Sequence, residues 1–252
     1  MNKIVLVTGA TSGIGKAVAE EFAKLSYNII IVGRREKRLH ELKAYLEKQY
    51  KVNILLLPID LRNKQIVKET VANFPENWRN IDVLVNNAGL GLGLTSMEKA
   101  NPDDWDIMID TNIKAVLYLS REIMPFMVAR KSGHIINIGS TVAKQVPKNV
   151  NIYAATKHAL DAISQGMRAD LLEKNIKVTQ VNPGYVETEF SLVNNRGDKE
   201  LAKKTYEGFT PLKPIDVAEV VTYVASLPKH VNINEILVTP FDEADVYNLK
   251  RD

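Results

Sequence analysis

The chain has 252 residues and no cysteine, and its 33 basic and 30 acidic side chains leave a formal charge of +3. Lack of cysteine excludes disulfides, thiolate metal sites and thiol nucleophiles, and the interspersed, nearly balanced charges exclude nucleic acid as a natural partner. A 45% hydrophobic share suits one α/β domain with a substantial core, and no apolar run nears the roughly 18 residues that span a bilayer, so a cytoplasmic protein without a membrane partner is expected.

In chain order, short apolar strands alternate with helical patterns. The first strand, residues 4–7, is entered with no charged-then-apolar leader and runs into Thr8-Gly9-Ala10-Thr11-Ser12-Gly13-Ile14-Gly15, which opens a helix over residues 14–25. Glycines there permit a tight turn and close backbone approach, and a helix N-terminus offers free N–H groups and a positive dipole end, so Gly9, Thr11, Ser12, Gly13, Ile14 and Gly15 form a candidate pyrophosphate loop. The spacing G-x-x-x-G-x-G differs from the commoner dinucleotide fingerprint. The second strand, residues 28–32, ends in Gly33-Arg34-Arg35. An acid at that tip would bind a ribose 2′-hydroxyl, whereas two arginines can grip a 2′-phosphate, so NADP is the expected cofactor.

After the third strand (residues 53–57), Asp60-Leu61 is placed to meet an adenine amino group, though Asp60 could instead cap the next helix. The fourth strand, residues 81–85, leads into Asn86-Asn87-Ala88-Gly89, read as the wall beside the adenosine ribose. A long helix over 102–130 starts at Asn101-Pro102-Asp103-Asp104, which supplies an N-cap, a first-turn proline and acids, and Pro125 should bend or break it near its end. The fifth strand (133–138) delivers Ser140, and the helix over 151–174 carries Tyr153 and Lys157 one turn apart on one face. A sixth strand over 177–181 is followed by a long segment, 185–214, read as a mobile flap with a helix at 199–206. A last helix runs from Pro214 to Pro228 and a seventh strand covers 235–238. Strands apolar throughout, rather than alternating, suit burial on both faces, so the fold expected is a Rossmann-like, doubly wound α/β domain spanning 1–252 with a mostly or fully parallel seven-stranded sheet. His40, His134, His158 and His230 lack ligand-like spacing, and no metal site is expected.

A tyrosine four residues before a basic residue arises about once by chance at this composition. The second such pair, Tyr247 and Arg251, lies in what reads as a frayed tail. Tyr153 and Lys157 stand out through Ser140 upstream and the phosphate loop. A carbinol losing hydride needs a base for its hydroxyl proton, and Tyr153 is the candidate. Its ordinary pKa near 10 is too high at neutral pH, and the Lys157 cation should lower it. Ser140 would hydrogen-bond the carbonyl oxygen as negative charge develops.

These residues together resemble the short-chain dehydrogenase/reductase family of the type with a TGxxxGIG loop and a Ser-Tyr-Lys site, over nearly the whole chain. The resemblance implies that Asn112 holds a water linking Lys157 to solvent, that Pro183-Gly184 fixes a turn bringing Val186 and Thr188 to the cofactor, and that Thr188 contacts the nicotinamide carboxamide. By analogy it also implies a homotetramer packed through the long helices. The stretches 138–141, 186–190 and 227–234 are similar to NADP-dependent serine or 3-hydroxy acid dehydrogenases, whose small-molecule substrates include serine, allo-threonine, 3-hydroxypropionate and the matching semialdehydes. Alternatives are a 3-ketoacyl-carrier-protein reductase, from which Gly89-Leu90-Gly91-Leu92-Gly93 departs, and a non-catalytic NADP-binding protein. For a substrate carboxylate, Arg196 in the flap and Lys148 in the loop before Tyr153 are the candidate cations.

Overall fold

The computed structural model describes residues 2–252. Strands β1 (Ile4–Thr8), β2 (Asn28–Val32), β3 (Ile54–Leu57), β4 (Ile81–Asn86), β5 (Gly133–Ile138), β6 (Ile176–Pro183) and β7 (Glu235–Val238) form one fully parallel sheet in the order β3-β2-β1-β4-β5-β6-β7. Successive strand residues point to opposite faces, so a strand apolar throughout feeds two cores at once. Val5, Val7, Ile29, Ile31, Val83 and Ile136 join Phe22, Leu39 and Val221 on one side. Leu6, Ile30, Leu84 and Ile135 join Val67, Leu119, Ile123 and Met127 on the other.

The helices that cover these faces are α1 (Gly13–Lys24), α2 (Glu36–Tyr50) and α9 (Pro214–Ser226) on the first, and α3 (Lys64–Ala72), α5 (Ala115–Arg130) and α6 (Asn151–Leu171) on the second. Because β2 and β3 lie on one side of β1 and β4 to β7 on the other, the connections leave β1 and β4 in opposite directions and open a crevice at their carboxyl ends. Two short helices, α7 (Phe190–Asn194) and α8 (Lys199–Lys204), occupy the segment between β6 and α9, whose ends are tied by a bridge between Val186 and Leu212.

Three expectations need correction. The helix over 102–130 is not uniform: α4 (Pro102–Ile109) passes into one wider turn, Asp110–Lys114, where the Ala115 N–H reaches the Asp110 carbonyl five residues back, before α5 continues. Pro125 does not end it. Ile123 and Met127 are fully buried against the sheet, which holds the last turns across the lost hydrogen bond until Lys131 closes the helix in the left-handed region.

The C-terminal tail is also not frayed. Strands β8 (Glu243–Asp245) and β9 (Asn248–Leu249) pair antiparallel. The Tyr247 hydroxyl donates to the Val146 carbonyl at 3.1 Å, and the Arg251 guanidinium lies 5.0 Å from the Phe209 ring centroid while donating to the Thr205 and Glu207 carbonyls. Third, Asn86 does not face the crevice. Its amide is buried beneath it, donating to Ser120 Oγ (3.1 Å) and Asn137 Oδ1 (2.8 Å), and Asn137 passes the chain on to Ser164 Oγ at 2.8 Å. This network ties β4 and β5 to α5 and α6.

His134 on β5 is buried, with Nε2 2.8 Å from Thr179 Oγ1 and Nδ1 unpartnered. Burial, helped by the Lys177 charge, pushes its pKa down from 6.5 to about 3. Between those values the unfolded chain binds a proton that the folded one refuses, so stability falls as pH drops through this window. Urea titrations at pH 7 and 5 should show His134→Gln losing about 2 kcal/mol less stability than wild type over that step. Equal losses would show that His134 titrates normally in the fold.

Candidate active site

A cavity of about 620 Å³ opens at the carboxyl ends of the central strands. Gly9, Thr11, Ser12, Gly13, Ile14, Arg34, Arg35, Asp60 and Leu61 line one end, Asn87, Ala88 and Gly89 the middle, and Ser140, Tyr153, Lys157, Pro183, Gly184, Val186 and Thr188 the rest. Gly15, Asn112, Lys148 and Arg196 do not line it.

The loop after β1 is shaped by the neighbouring strand end. Thr8 Oγ1 accepts from the N–H groups of Asn87 and Ala88, each at 2.9 Å, and the Asn87 amide donates to the Thr8 carbonyl at 2.8 Å. Gly9, at φ +66, sits so close to this stitch that a Cβ would lie 2.9 Å from Asn87 Nδ2 and 3.0 Å from the Ala88 Cα. Gly15 lies beneath the loop against Asn87 and the Gly9 carbonyl. No side chain caps α1, because the Ser12 hydroxyl oxygen accepts from Arg35 instead, at 2.6 Å.

The two arginines differ. Arg35 donates to Thr11 Oγ1 through Nε (2.9 Å) and Nη2 (2.6 Å), to Ser12 Oγ, and to Glu189 Oε2 at 2.7 Å. Arg34 has no such engagement with a side chain among the described residues. Asp60 does not cap α3, whose N-cap is Asn63. It pairs with Arg62 at 2.6 Å, and that guanidinium holds its carboxyl below the usual carboxylate range. An uncapped helix N-terminus beside a free guanidinium and a row of hydroxyls is a donor set suited to a dinucleotide's phosphates.

At the other end, the wider turn at Asp110–Lys114 presents the buried Asn112 to the loop after β4. Its Oδ1 accepts from the Leu90 N–H (2.9 Å), while Nδ2 donates to the Leu90 carbonyl (2.8 Å) and Thr156 Oγ1 (3.0 Å). The amide is satisfied by protein, so its visible task is to clamp that loop beside Lys157. Gly91 lies in the loop so tightly that an added Cβ would be 2.9 Å from Phe190 Cζ.

Ser140, Tyr153 and Lys157 converge. Burial pushes the Tyr153 phenol up to about 12, with the neighbouring Ser140 hydroxyl acting in the opposite direction. This opposes the lowering expected from Lys157, whose Nζ is 5.8 Å from the Tyr153 ring centroid and donates to the Ile138 carbonyl at 2.9 Å. Burial lowers Lys157 itself to about 8. The desolvation of both groups outweighs their mutual effect in the protein alone.

Lys148 and Arg196, the candidate cations for a substrate carboxylate, lie outside the cavity lining. Arg196 turns away to Asp104 at 2.5 Å. Several residues at the site were not singled out as site residues: Phe190, whose ring lies 5.4 Å from that of Tyr153, Glu189, and the buried Glu243, which accepts from the Tyr185 N–H at 3.0 Å behind Gly184. Glu189 and Phe190 directly follow Thr188 in the stretch 186–190 that carries the resemblance and could have been found there; Glu243 comes from the C-terminal hairpin and had no local signal.

Residues 3–199 match the short chain dehydrogenase family, and the chain belongs to it. It is 46% identical over 242 residues to the NADP-dependent 3-hydroxy acid dehydrogenase YdfG of Salmonella typhi, covering 96% of each protein. It is 38% identical over 244 residues to the serine 3-dehydrogenase of Rhizobium radiobacter, covering 97% of this chain and 96% of that one. The closed form of serine dehydrogenase complexed with NADP+ superposes with a TM-score of 0.92 at 43% identity, over 96% of this chain and 97% of that one.

Asp104 is nearly buried and its bridge joins α4 to the segment after β6, while the Arg196 side chain is 60% exposed. Arg196→Ala should therefore cost only about 1 kcal/mol, a drop of roughly 2–4 °C in Tm, with Arg196→Lys restoring part of it. An unchanged melting temperature would show that the pair contributes nothing.

Proposed function

We propose that this chain is an oxidoreductase that transfers a hydride between NADP(H) and a short 3-hydroxy acid or the corresponding semialdehyde. The observation that carries this reading is one continuous cavity with an anion-binding loop and a free arginine at one end and Ser140, Tyr153 and Lys157 at the other. The kinship with 3-hydroxy acid and serine dehydrogenases supports the substrate class.

Bound NADP would supply the nicotinamide that exchanges the hydride and, when oxidised, a positive charge beside the phenol. The backbone N–H groups of α1 would hold its pyrophosphate, and Arg34 and Arg35 its 2′-phosphate. Ser140 would donate to the substrate oxygen, and Tyr153 would move the proton at that oxygen through its hydroxyl. Bringing the phenol from about 12 to near neutrality requires about 7 kcal/mol of differential stabilisation of the phenolate. The Lys157 cation and the Ser140 hydrogen bond act in that direction once the site is closed to water. Lys157 must be protonated to do so, and its pKa near 8 keeps it mostly charged at neutral pH.

Apart from Lys157, the residues around the substrate end are neutral, so a carboxylate would rely on uncharged donors. Asn194 lines the cavity with a buried Oδ1 that has no hydrogen-bond partner, an acceptor we assign to a substrate O–H or N–H rather than to its carboxylate. The 185–214 segment, with α7 and α8, would act as the flap. A cytoplasmic homotetramer is proposed from the family, and light scattering of the purified protein tests its size.

A panel of short 3-hydroxy acids assayed with NADP and NAD should show kcat/KM at least tenfold higher with NADP, and equal efficiency would overturn the cofactor assignment. Arg34→Ala combined with Arg35→Ala should narrow that gap, chiefly by raising the KM for NADP. Tyr153→Phe should lower kcat by about a hundredfold or more with NADPH binding retained, and a variant keeping a tenth of wild-type turnover would remove Tyr153 from the acid-base role.

A further inference from the structure

Three consecutive residues after the β6 turn touch three parts of the cavity. Thr188 stands over the phosphate loop, where a Cβ on Gly13 would lie 3.2 Å from Thr188 Cγ2. Glu189 bridges two guanidinium groups, Arg35 Nη1 at 2.7 Å and Arg38 Nη1 at 2.8 Å from both carboxylate oxygens. Phe190 packs on Tyr153 and begins α7.

Arg35 is thereby committed. Its Nε and Nη2 serve the Thr11 and Ser12 hydroxyls and its Nη1 serves Glu189, although it stands at the tip of β2, where a bound nucleotide's ribose 2′-substituent is read. The fork formed by Arg35 and Arg38 is a phosphate-type site already holding an anion supplied by the protein. The two arginines hold the Glu189 carboxyl down at about 2, so it stays an anion through any working pH.

We propose that Glu189 determines 2′-phosphate recognition by occupying the Arg35–Arg38 fork as a displaceable carboxylate, and that a ribose 2′-phosphate displaces it and releases the start of α7 from the phosphate-loop rim. A phosphate monoester brings up to two charges and three acceptor oxygens against one charge and two oxygens, which favours the exchange. The side chains involved are two-fifths exposed, so the bridge is weak enough to be broken. Recognition of the phosphate at the rim is thereby linked to Phe190 over the catalytic phenol, through one residue of chain. The inference rests on the NADP reading above.

The test is equilibrium binding of NADPH, NADH, 2′-AMP and 5′-AMP to wild type, Glu189→Gln and Glu189→Ala, with limited proteolysis of residues 190–204 as a second readout. Both variants should bind NADPH and 2′-AMP at least fivefold tighter than wild type, while NADH and 5′-AMP change less than twofold. In wild type, 2′-AMP but not 5′-AMP should raise cleavage in 190–204. In the variants that region should be cleaved at the raised rate without any nucleotide. Weaker binding of NADPH by the variants, or an unchanged ratio of NADPH to NADH affinity, would overturn the displacement. Cleavage indifferent to 2′-AMP would overturn the link to α7. A wild type that binds NADH as tightly as NADPH would instead fail the NADP reading itself, before Glu189 is in question.

Discussion

Across the open ends of β1 and β4, the Thr8 hydroxyl accepts two backbone N–H groups from the neighbouring strand's loop while the Asn87 amide returns a hydrogen bond to the Thr8 carbonyl. This stitch stands where the sheet's winding reverses, the one place in a doubly wound fold where adjacent strands send their connections apart. It holds the phosphate loop and the loop after β4 at a fixed separation. Gly9 has no room for a side chain because that separation is so small. The position of α1, and with it an uncapped helix N-terminus at the nucleotide half of the cavity, follows from the same contact.

The other half of the cavity holds two groups whose titration is shifted by burial. Tyr153 is raised and Lys157 lowered, each chiefly by desolvation. Both are carried by α6 and backed by the buried Asn86-Asn137-Ser164 chain, which fixes β4 and β5 against the helices while leaving no titratable group among its members. A rigid, neutral support lets the reactive pair respond mainly to what enters the cavity.

The rim shows the opposite strategy, in which charges are neutralised by one another. Glu189 and Asp104 pair with arginines from separate elements of the fold, and Asp60 with Arg62 two residues on in the loop after β3. Two of these pairs, Glu189 with Arg35 and Arg38, and Asp104 with Arg196, fasten the segment after β6 to the body of the protein. They are partly exposed and therefore individually modest.

The order of strands and helices, the phosphate loop and the grouping of Ser140, Tyr153 and Lys157 were legible in the sequence. Each is a local pattern: continuous apolar strands, glycines between strand and helix, and two residues one helical turn apart. The wider turn at Asp110–Lys114 was not, because nothing in Asp-Thr-Asn-Ile-Lys forbids an ordinary helix; it is selected by Asn112 reaching Leu90 and Thr156. The packed tail was missed for the same reason, since Tyr247 and Arg251 find their partners 101 and more than 40 residues away. Arg196 and Lys148 had the right charge for a substrate carboxylate, but a side chain's charge does not say which partner it will reach. The sequence by itself determined the parallel fold and the kind of chemistry, because these rest on periodicity and short-range spacing. Only the tertiary structure decided that Arg34 is free while Arg35 is engaged, that Glu189 sits between the cavity's two halves, and that Arg196 faces Asp104, because ion pairing depends on distances that only the completed fold sets.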